Sequence, residues 1–180
     1  MERVEYKGKP YLVGYHSQEY RVTGTLEEPL KCKAKYAWLG IGYYFWTEIE
    51  FAKYWGEDAK KNTGYYDIYK AFLKIDQCIN AVFDEEGYFF FRGKIEETID
   101  YFNRNGQQVT LERVNRFLAD NIWPTLGVEG IIYDDKPTNP RQSDRIYSEI
   151  PDLYYKKRIQ VVLFNLANIC NFELLLEEQE

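Results

Sequence analysis

The stretch from Leu39 to Thr47 combines residue types that can bind a flat aromatic ligand. Gly40 and Gly42 let the backbone turn tightly and approach a ligand closely, because neither residue carries a Cβ atom. Four aromatic residues follow without a break, from Tyr43 to Trp46, and supply more π surface than a turn requires. The same pattern also fits a core strand with buried aromatic side chains. Taken alone, this stretch therefore leaves a ligand site and a structural strand both open.

A helix is predicted directly after this stretch, and it would return towards the aromatic run. Thr47 and Glu50 have the spacing of a capping box, which starts a helix. Apolar residues then recur at helical spacings of three and four, and basic residues favour the helix end that follows. The apolar positions are Ile49, Ala52, Trp55 and Ala59, and the end is marked by Lys60, Lys61 and Gly64.

Two further segments carry polar residues next to strand-like sequence. A short strand from Tyr11 to Tyr15 is predicted to end at His16 and Ser17, and His16 is the sole histidine of the chain. By itself, a histidine at a strand end fits a structural role. Near the other end of the chain, Gln160 opens an apolar strand that is predicted from Ile159 to Phe164.

These three segments together resemble the motifs of the poly(ADP-ribose) polymerase-like ADP-ribosyltransferases, the H-Y-E class. His16 and Ser17 resemble the aromatic-His-Gly-Ser motif, with Ser17 in place of the glycine. The central stretch resembles Gly-x-Gly-aromatic-Tyr-Phe. The segment from Gln160 to Ile169 resembles the closing strand, with Gln160 at the position of the catalytic glutamate. The segment from Gly127 to Tyr133 resembles an element of toxin- and phage-associated members.

The resemblance implies NAD as co-substrate and a role for each matching residue. Gly42 and Tyr43 would belong to the NAD-binding motif, in which Tyr44 stacks on nicotinamide. Trp55, eleven residues later, would cover the other face of the ring. His16 would hold a ribose hydroxyl, and the backbone of Ser17 would bind the nicotinamide amide. Gln160 would accept from the 2′-hydroxyl of the nicotinamide ribose; the implied catalytic residues are thus Gln160, Tyr44 and His16.

The implied function is NAD-dependent mono-ADP-ribosyl transfer to a macromolecule, in the setting of a toxin or a phage–host conflict effector. Gln160 keeps the hydrogen bond of a glutamate but not its charge, so single transfer is expected rather than chain elongation. Three alternatives stay open: an NAD glycohydrolase, a non-catalytic NAD- or ADP-ribose-binding module, and an RNA 2′-phosphotransferase-like enzyme. Ser17 and Gln160 favour the binding module. The aromatic character of the central motif argues against the phosphotransferase, which relies on several arginines.

Composition limits the remaining classes. A length of 180 residues predicts a single domain, residues 1–180. A net charge of −6 gives no basic footprint for nucleic acid, so we expect a protein acceptor, and an antitoxin or immunity partner would suit such a role. Three scattered cysteines predict reduced thiols in the cytoplasm, and one histidine predicts no metal site. The sequence shows no signal peptide and no membrane span.

The other elements predict an α+β domain. Strands are expected at residues 66–75, 80–83, 88–91 and 130–133, and helices at residues 94–105 and 110–123, the latter ended by Pro124. Loops are expected at residues 19–36 and 134–144, and a final strand fragment after residue 172. The resemblance implies the ADP-ribosyltransferase fold, with two facing, mainly antiparallel sheets, inserted helices and NAD in the cleft between the sheets.

Overall fold

Eight strands form one mainly antiparallel sheet within the part of the chain that the computed structural model describes, residues 1–21, 24–35, 37–59, 62–135 and 156–178. The strands are β1 (Arg3–Tyr6), β2 (Lys9–Glu19), β3 (Tyr43–Trp46), β4 (Tyr66–Leu73), β5 (Cys78–Asn80), β6 (Gly130–Asp134), β7 (Ile159–Leu163) and β8 (Ile169–Glu178). Their order is β5-β6-β7-β3-β2-β4-β8, with β1 paired to β2. Only β5 and β6 run parallel among these pairs. The predicted mixed α+β class is confirmed.

The sheet has two halves that meet at a thin junction. Strands β3 and β2 are paired only through Tyr15 and Trp46. On one side of this junction β2 is paired with β4 over eight residues, from Leu12 to Glu19. On the other side β3 is paired with β7 over its full length. The expected two separate sheets are therefore corrected to one continuous sheet, because this residue pair joins the halves.

Helices cover the sheet, namely α1 (Ile49–Ala59), α2 (Glu85–Arg104), α3 (Leu111–Phe117) and α4 (Trp123–Leu126). The core beneath α2 and α3 contains Phe91, Phe102 and Val114 from these helices and Ile131 and Val162 from the sheet. None of the helices in the described ranges has the length and apolar character that a bilayer-spanning segment needs. The three cysteines are free.

Helix α2 begins nine residues before the predicted start at Lys94, and the strand predicted at Tyr88–Phe91 is wrong. The Asp84 carboxylate accepts from the backbone N–H of Glu86 at 3.2 Å and caps the helix. Acidic residues in the first turn favour the positive helix end. The aromatic run therefore lies on a helix, where only Phe91 is buried.

The helical segment that begins after Thr110 runs past Pro124, where the sequence predicted its end. The predicted N-cap is confirmed, since the Thr110 hydroxyl accepts from the N–H of Arg113 at 3.3 Å. A π-helical turn at Leu118–Ile122 separates α3 from α4. Pro124 then falls in the first turn of α4, where the missing N–H is tolerated.

The predicted helix after Thr47 is confirmed, but its predicted cap is wrong, and its predicted apolar face is confirmed at Ile49 and Ala52 and wrong at Trp55. The Thr47 hydroxyl is buried without a partner among the described residues. Glu50 instead accepts from Lys156 Nζ and from the Tyr54 hydroxyl, both at 2.9 Å. The buried face is formed by Phe51, Ala52 and Gly56, whereas Trp55 is 43% exposed. The predicted basic end at Lys60 and Lys61, like the predicted loop beyond Asp135, lies outside the described residues.

Candidate functional site

A cavity of about 530 Å³ opens beside the junction of the two halves of the sheet. Its walls come from β2, β3, α1, the end of β6, the start of β7 and the loop segment between β2 and β3. Both β2 and β3 contribute residues that lie beyond their one shared pair, Tyr15 and Trp46. The cavity therefore lies where these two strands separate.

The backbone edge of β2 forms part of the cavity wall. Three consecutive residues, His16, Ser17 and Gln18, line the cavity. Neighbouring side chains on a strand point to opposite faces, so a run of three consecutive residues cannot line a wall by side chains alone. The prediction had β2 end at Tyr15, but pairing with β4 extends the strand to Glu19, and His16 and Ser17 lie inside it.

His16 is buried, with 6% of its surface exposed, and its hydrogen bond fixes its tautomer. Nδ1–H donates to the carbonyl oxygen of Tyr44 at 2.9 Å, because a carbonyl oxygen can only accept. Burial lowers the pKa of His16, although the bond to the Tyr44 carbonyl opposes this effect. The neutral ring then carries a lone pair on Nε2, which has no partner among the described residues. Nε2 is thus a buried, unpaired acceptor within the described structure, on a ring that lies beside the rings of Phe45 and Phe172.

The hydroxyl of Tyr44 is engaged within the protein, while the residue itself lines the cavity. It donates to the carbonyl oxygen of Gly40 at 2.6 Å and accepts from the N–H of Leu39 at 3.2 Å. Burial raises the pKa of Tyr44 far above its ordinary value, so the hydroxyl stays protonated. The hydroxyl thus anchors the residue to the preceding turn, and the aromatic ring is the part that can serve a ligand.

Trp55 lines the cavity because α1 lies close against β2 and β4. A Cβ atom at Gly56 would collide with the ring of Tyr66 and would lie 2.7 Å from the hydroxyl oxygen of Ser17. Glycine at this position permits the close approach. Trp55, next to Gly56 and 43% exposed, is thereby placed at the cavity as an accessible aromatic surface.

Gln160 lies at the start of β7, opposite Trp46 of β3, and is 6% exposed. Its Oε1 accepts from the indole Nε1–H of Trp38 at 2.9 Å. An indole N–H is only a donor, so this contact fixes which end of the amide faces Trp38. A carbonyl oxygen has two lone pairs, and Oε1 therefore keeps the capacity to accept a second hydrogen bond. The indole of Trp38 is itself held edge-on against the ring of Tyr133, at 5.3 Å between centroids.

Five of the seven predicted site residues line this one cavity, although they are far apart in the sequence: His16, Ser17, Tyr44, Trp55 and Gln160.

Gly42 and Tyr43 do not line the cavity. Gly42 exchanges backbone hydrogen bonds with Cys32, and a Cβ atom there would collide with Val162 of β7. Tyr43 packs among the core residues of the other face, and Lys31 Nζ lies 5.5 Å from its ring centroid. Gly42 is thus required for close packing of β3, and Tyr43 faces away because side chains alternate along a strand.

Sequence reasoning missed Trp38 and Asp135, which also line the cavity. Trp38 stands one residue before the central motif, and this added aromatic residue was the available signal. Asp135 directly follows the buried strand β6 and is the second residue of an acidic pair, Asp134 and Asp135. Nothing in the sequence indicated that either residue approaches Gln160.

The charged residues that line the described part of the cavity are Arg21, Lys31 and Asp135. The described residues contain no cluster of three or more histidine, cysteine, aspartate or glutamate side chains that could hold a metal ion. The described walls therefore combine aromatic surface, neutral hydrogen-bonding groups and a few charges of both signs. Such walls suit an organic ligand with a flat ring and hydroxyl groups.

No family model matches the sequence, and searches of curated proteins and of solved structures found no similar chain.

Proposed function

We propose that this chain is an NAD-dependent mono-ADP-ribosyltransferase with a variant of the ADP-ribosyltransferase fold, in which one residue pair joins the two sheets into one. The observation that carries the proposal is the convergence of His16, Ser17, Tyr44, Trp55 and Gln160 on one cavity. These residues belong to three motifs that are widely separated in the sequence. The motif strands β2, β3 and β7 are also neighbours in the sheet. NAD would occupy the cavity, and a macromolecule would accept the ADP-ribose.

The groups in the cavity match the needs of nicotinamide–ribose cleavage. Nicotinamide is cationic while it is attached, so Tyr44 and Trp55 would bind it by stacking and cation–π attraction. The neutral His16 would accept from a ribose hydroxyl through Nε2, which lacks a partner among the described residues. Gln160 would accept from the 2′-hydroxyl of the nicotinamide ribose through the free lone pair of Oε1. The exposed edge of β2 would offer backbone groups to the nicotinamide amide.

Gln160 also supports a second candidate, a non-catalytic NAD- or ADP-ribose-binding module. An amide can orient the ribose but adds no charge beside the cation that forms as the bond breaks. An NAD glycohydrolase, with water as acceptor, would use the same cavity. A role as a toxin or phage–host conflict effector, acting in the cytoplasm and with a protein acceptor, follows from the resemblance and belongs to the same proposal.

The test of the proposed function is release of nicotinamide from NAD by the purified protein. We expect free nicotinamide to accumulate and, in a cell lysate, labelled ADP-ribose to appear on macromolecules in the protein fraction. Nicotinamide without labelled macromolecules would indicate the glycohydrolase. Binding of NAD without release of nicotinamide would indicate the binding module. No binding of NAD would overturn all three.

Trp55→Ala separates the proposed stacking role from a structural role. Removing the indole should weaken NAD binding about two- to thirtyfold, the range of a lost cation–π contact. ADP-ribose lacks nicotinamide, so its affinity should not change. Phe89→Ala is the matched control, because Phe89 is also exposed (55%) but does not line the cavity. Equal losses of NAD and ADP-ribose affinity in Trp55→Ala would contradict nicotinamide stacking at this residue.

A further inference from the structure

Asp135 is the one carboxylate among the described residues that line the cavity. At Gln160, where the resembling enzymes carry their glutamate, this chain has a neutral amide. In the described walls the negative charge is therefore at Asp135, and not at Gln160, where the resemblance places a glutamate.

The sheet register places Asp135 beside Gln160. Tyr133 is paired with Gln160, and Asp134 with Ile159, in the antiparallel ladder of β6 and β7. The N–H of Asp135 donates to the carbonyl oxygen of Arg158 at 2.8 Å and continues this ladder by one residue. Asp135 is two residues beyond Tyr133, so it lies on the same face as Gln160, about 7 Å further along the strand.

An arginine anchors the carboxylate of Asp135. Arg158 Nη2 donates to Oδ2 at 3.2 Å. The guanidinium group lies over the rings of Trp46 and Phe51, at 5.4 and 5.7 Å from their centroids, which restricts its position. A carboxylate has two oxygens and about four lone-pair sites, so this contact leaves capacity to accept a proton from a group in the cavity.

The surroundings of Asp135 suit proton transfer. Burial raises the pKa of Asp135 above its ordinary value, the guanidinium of Arg158 opposes this shift, and the Asp134 carboxylate adds to it. A base is most effective when its pKa approaches the working pH. Glu50 of α1 does not line the described part of the cavity and is paired with Lys156. The other titratable groups in the described walls are His16, Arg21, Lys31, Cys32 and Tyr44.

We propose that Asp135 is the general base that activates the acceptor, an inference that rests on the proposed function. The acceptor, a hydroxyl or an amine, forms a bond from its lone pair to C1′ of the nicotinamide ribose. The C1′–nitrogen bond breaks, and its electron pair leaves with nicotinamide, which departs neutral and needs no proton. The proton of the acceptor passes to the Asp135 carboxylate. Gln160 orients the ribose and Asp135 accepts the proton, whereas one glutamate could do both.

Asp135→Asn tests this role with little change of shape, since the amide oxygen can still accept from Arg158. We expect ADP-ribosyl transfer to fall about a hundredfold or more, the usual contribution of a general base. NAD affinity and the melting temperature should stay near those of the wild type. Asp135→Glu should restore part of the rate. Asp100→Asn is the control, because Asp100 is exposed on α2 and does not line the cavity, and it should retain the wild-type rate.

The pH profile distinguishes a base from a structural carboxylate. The wild-type rate should fall on acidification as Asp135 becomes protonated. The small residual rate of Asp135→Asn should fall less steeply, by the part of the decline that protonation of His16 causes. If the wild-type protein is active and Asp135→Asn has the same rate and the same pH profile, Asp135 is not the base, and the proposed function is unaffected. A wild-type protein that releases no nicotinamide would overturn both.

Discussion

Two buried polar side chains that line the cavity, His16 and Gln160, are each oriented by one hydrogen bond. The carbonyl of Tyr44 holds the proton of His16 on Nδ1, and the indole of Trp38 holds Oε1 of Gln160. In both cases one hydrogen-bonding position remains for a ligand. The family resemblance implied that these side chains bind ribose hydroxyls. The partners that orient them are distant in sequence, and only the fold reveals them.

Substitutions of Gln160 should differ in direction. Gln160→Ala removes the acceptor for the ribose and leaves the indole N–H of Trp38 without its partner. The lost hydrogen bond, about 1–3 kcal/mol, should lower nicotinamide release roughly ten- to a hundredfold. Gln160→Glu still accepts from Trp38 and adds negative charge where the cation forms, so release should persist or rise. Nicotinamide release at saturating NAD measures both; equal and small effects would indicate a residue that only fills space.

Trp38→Phe tests whether Trp38 positions Gln160. It keeps an aromatic ring but removes the N–H donor, so the amide is free to turn. Nicotinamide release should fall at saturating NAD. In the Gln160→Ala background the same substitution should have little further effect, since coupled residues are not additive. Additive losses in this double-mutant cycle would show that Trp38 acts independently of Gln160.

His16 makes folding stability depend on pH in a defined window. The unfolded chain has the ordinary histidine pKa of about 6.5, and burial lowers the folded value. Between the two values the unfolded state binds the proton and the folded state does not. Stability should therefore fall as the pH drops below about 6.5, by at most about 1.4 kcal/mol per pH unit, and His16 should add no dependence above that pH. Urea unfolding from pH 5 to pH 8 measures this.

His16→Gln is the control for that prediction. His16 is the only histidine of the chain, so no other imidazole can cause a decline between pH 5 and pH 6.5. The variant should be less stable at every pH but should show a weaker decline in this window. An unchanged decline would assign it to other groups.

At the scale of elements, residue periodicity predicted some helices and strands correctly, and in others an N-cap determined the structure that forms. The alternation of β4 and the cap at Thr110 were readable because each depends on neighbouring residues. The aromatic run at Tyr88–Phe91 was read as a strand, since aromatic residues favour strands, but the cap at Asp84 makes it helical. The extension of β2 through His16 depends on pairing with β4, which local sequence does not encode.

Two glycines on helices should respond in opposite ways to alanine. Gly56→Ala would force α1 away from Tyr66 and Ser17, and we expect a loss of about 1–3 kcal/mol from overpacking, together with weaker NAD binding as Trp55 shifts. Gly93→Ala, in α2, meets no atom within 4 Å in the described structure and should stabilise the helix by about 0.5–1 kcal/mol. Thermal unfolding of both variants compares them. A Gly56→Ala variant as stable as Gly93→Ala would mean that α1 is not held closely against the sheet.

At the scale of the whole molecule, the candidate site depends on how the halves of the sheet meet. Three motifs are recognisable along the chain, but their meeting at one cavity requires β3 to pair with β7 on one side and to pair with β2 only through Trp46 and Tyr15 on the other. Sequence patterns report which face of a strand is buried, and they do not report which strands separate. The two facing sheets were implied by the family resemblance, and one continuous sheet is found because Tyr15 pairs with Trp46.

The stability of the whole domain should depend on NAD and not on a metal ion. The described residues hold no cluster of metal-ligating side chains, whereas the cavity has room for an organic ligand. A ligand that binds only the folded state at a hundred times its dissociation constant stabilises that state by about 2.7 kcal/mol. For a chain of 180 residues this corresponds to a rise in melting temperature of roughly 5–10 °C. We expect that rise with NAD and a smaller one in Trp55→Ala at the same concentration. EDTA should change neither the melting temperature nor nicotinamide release, and a loss of either in EDTA that added metal restores would contradict a metal-free site.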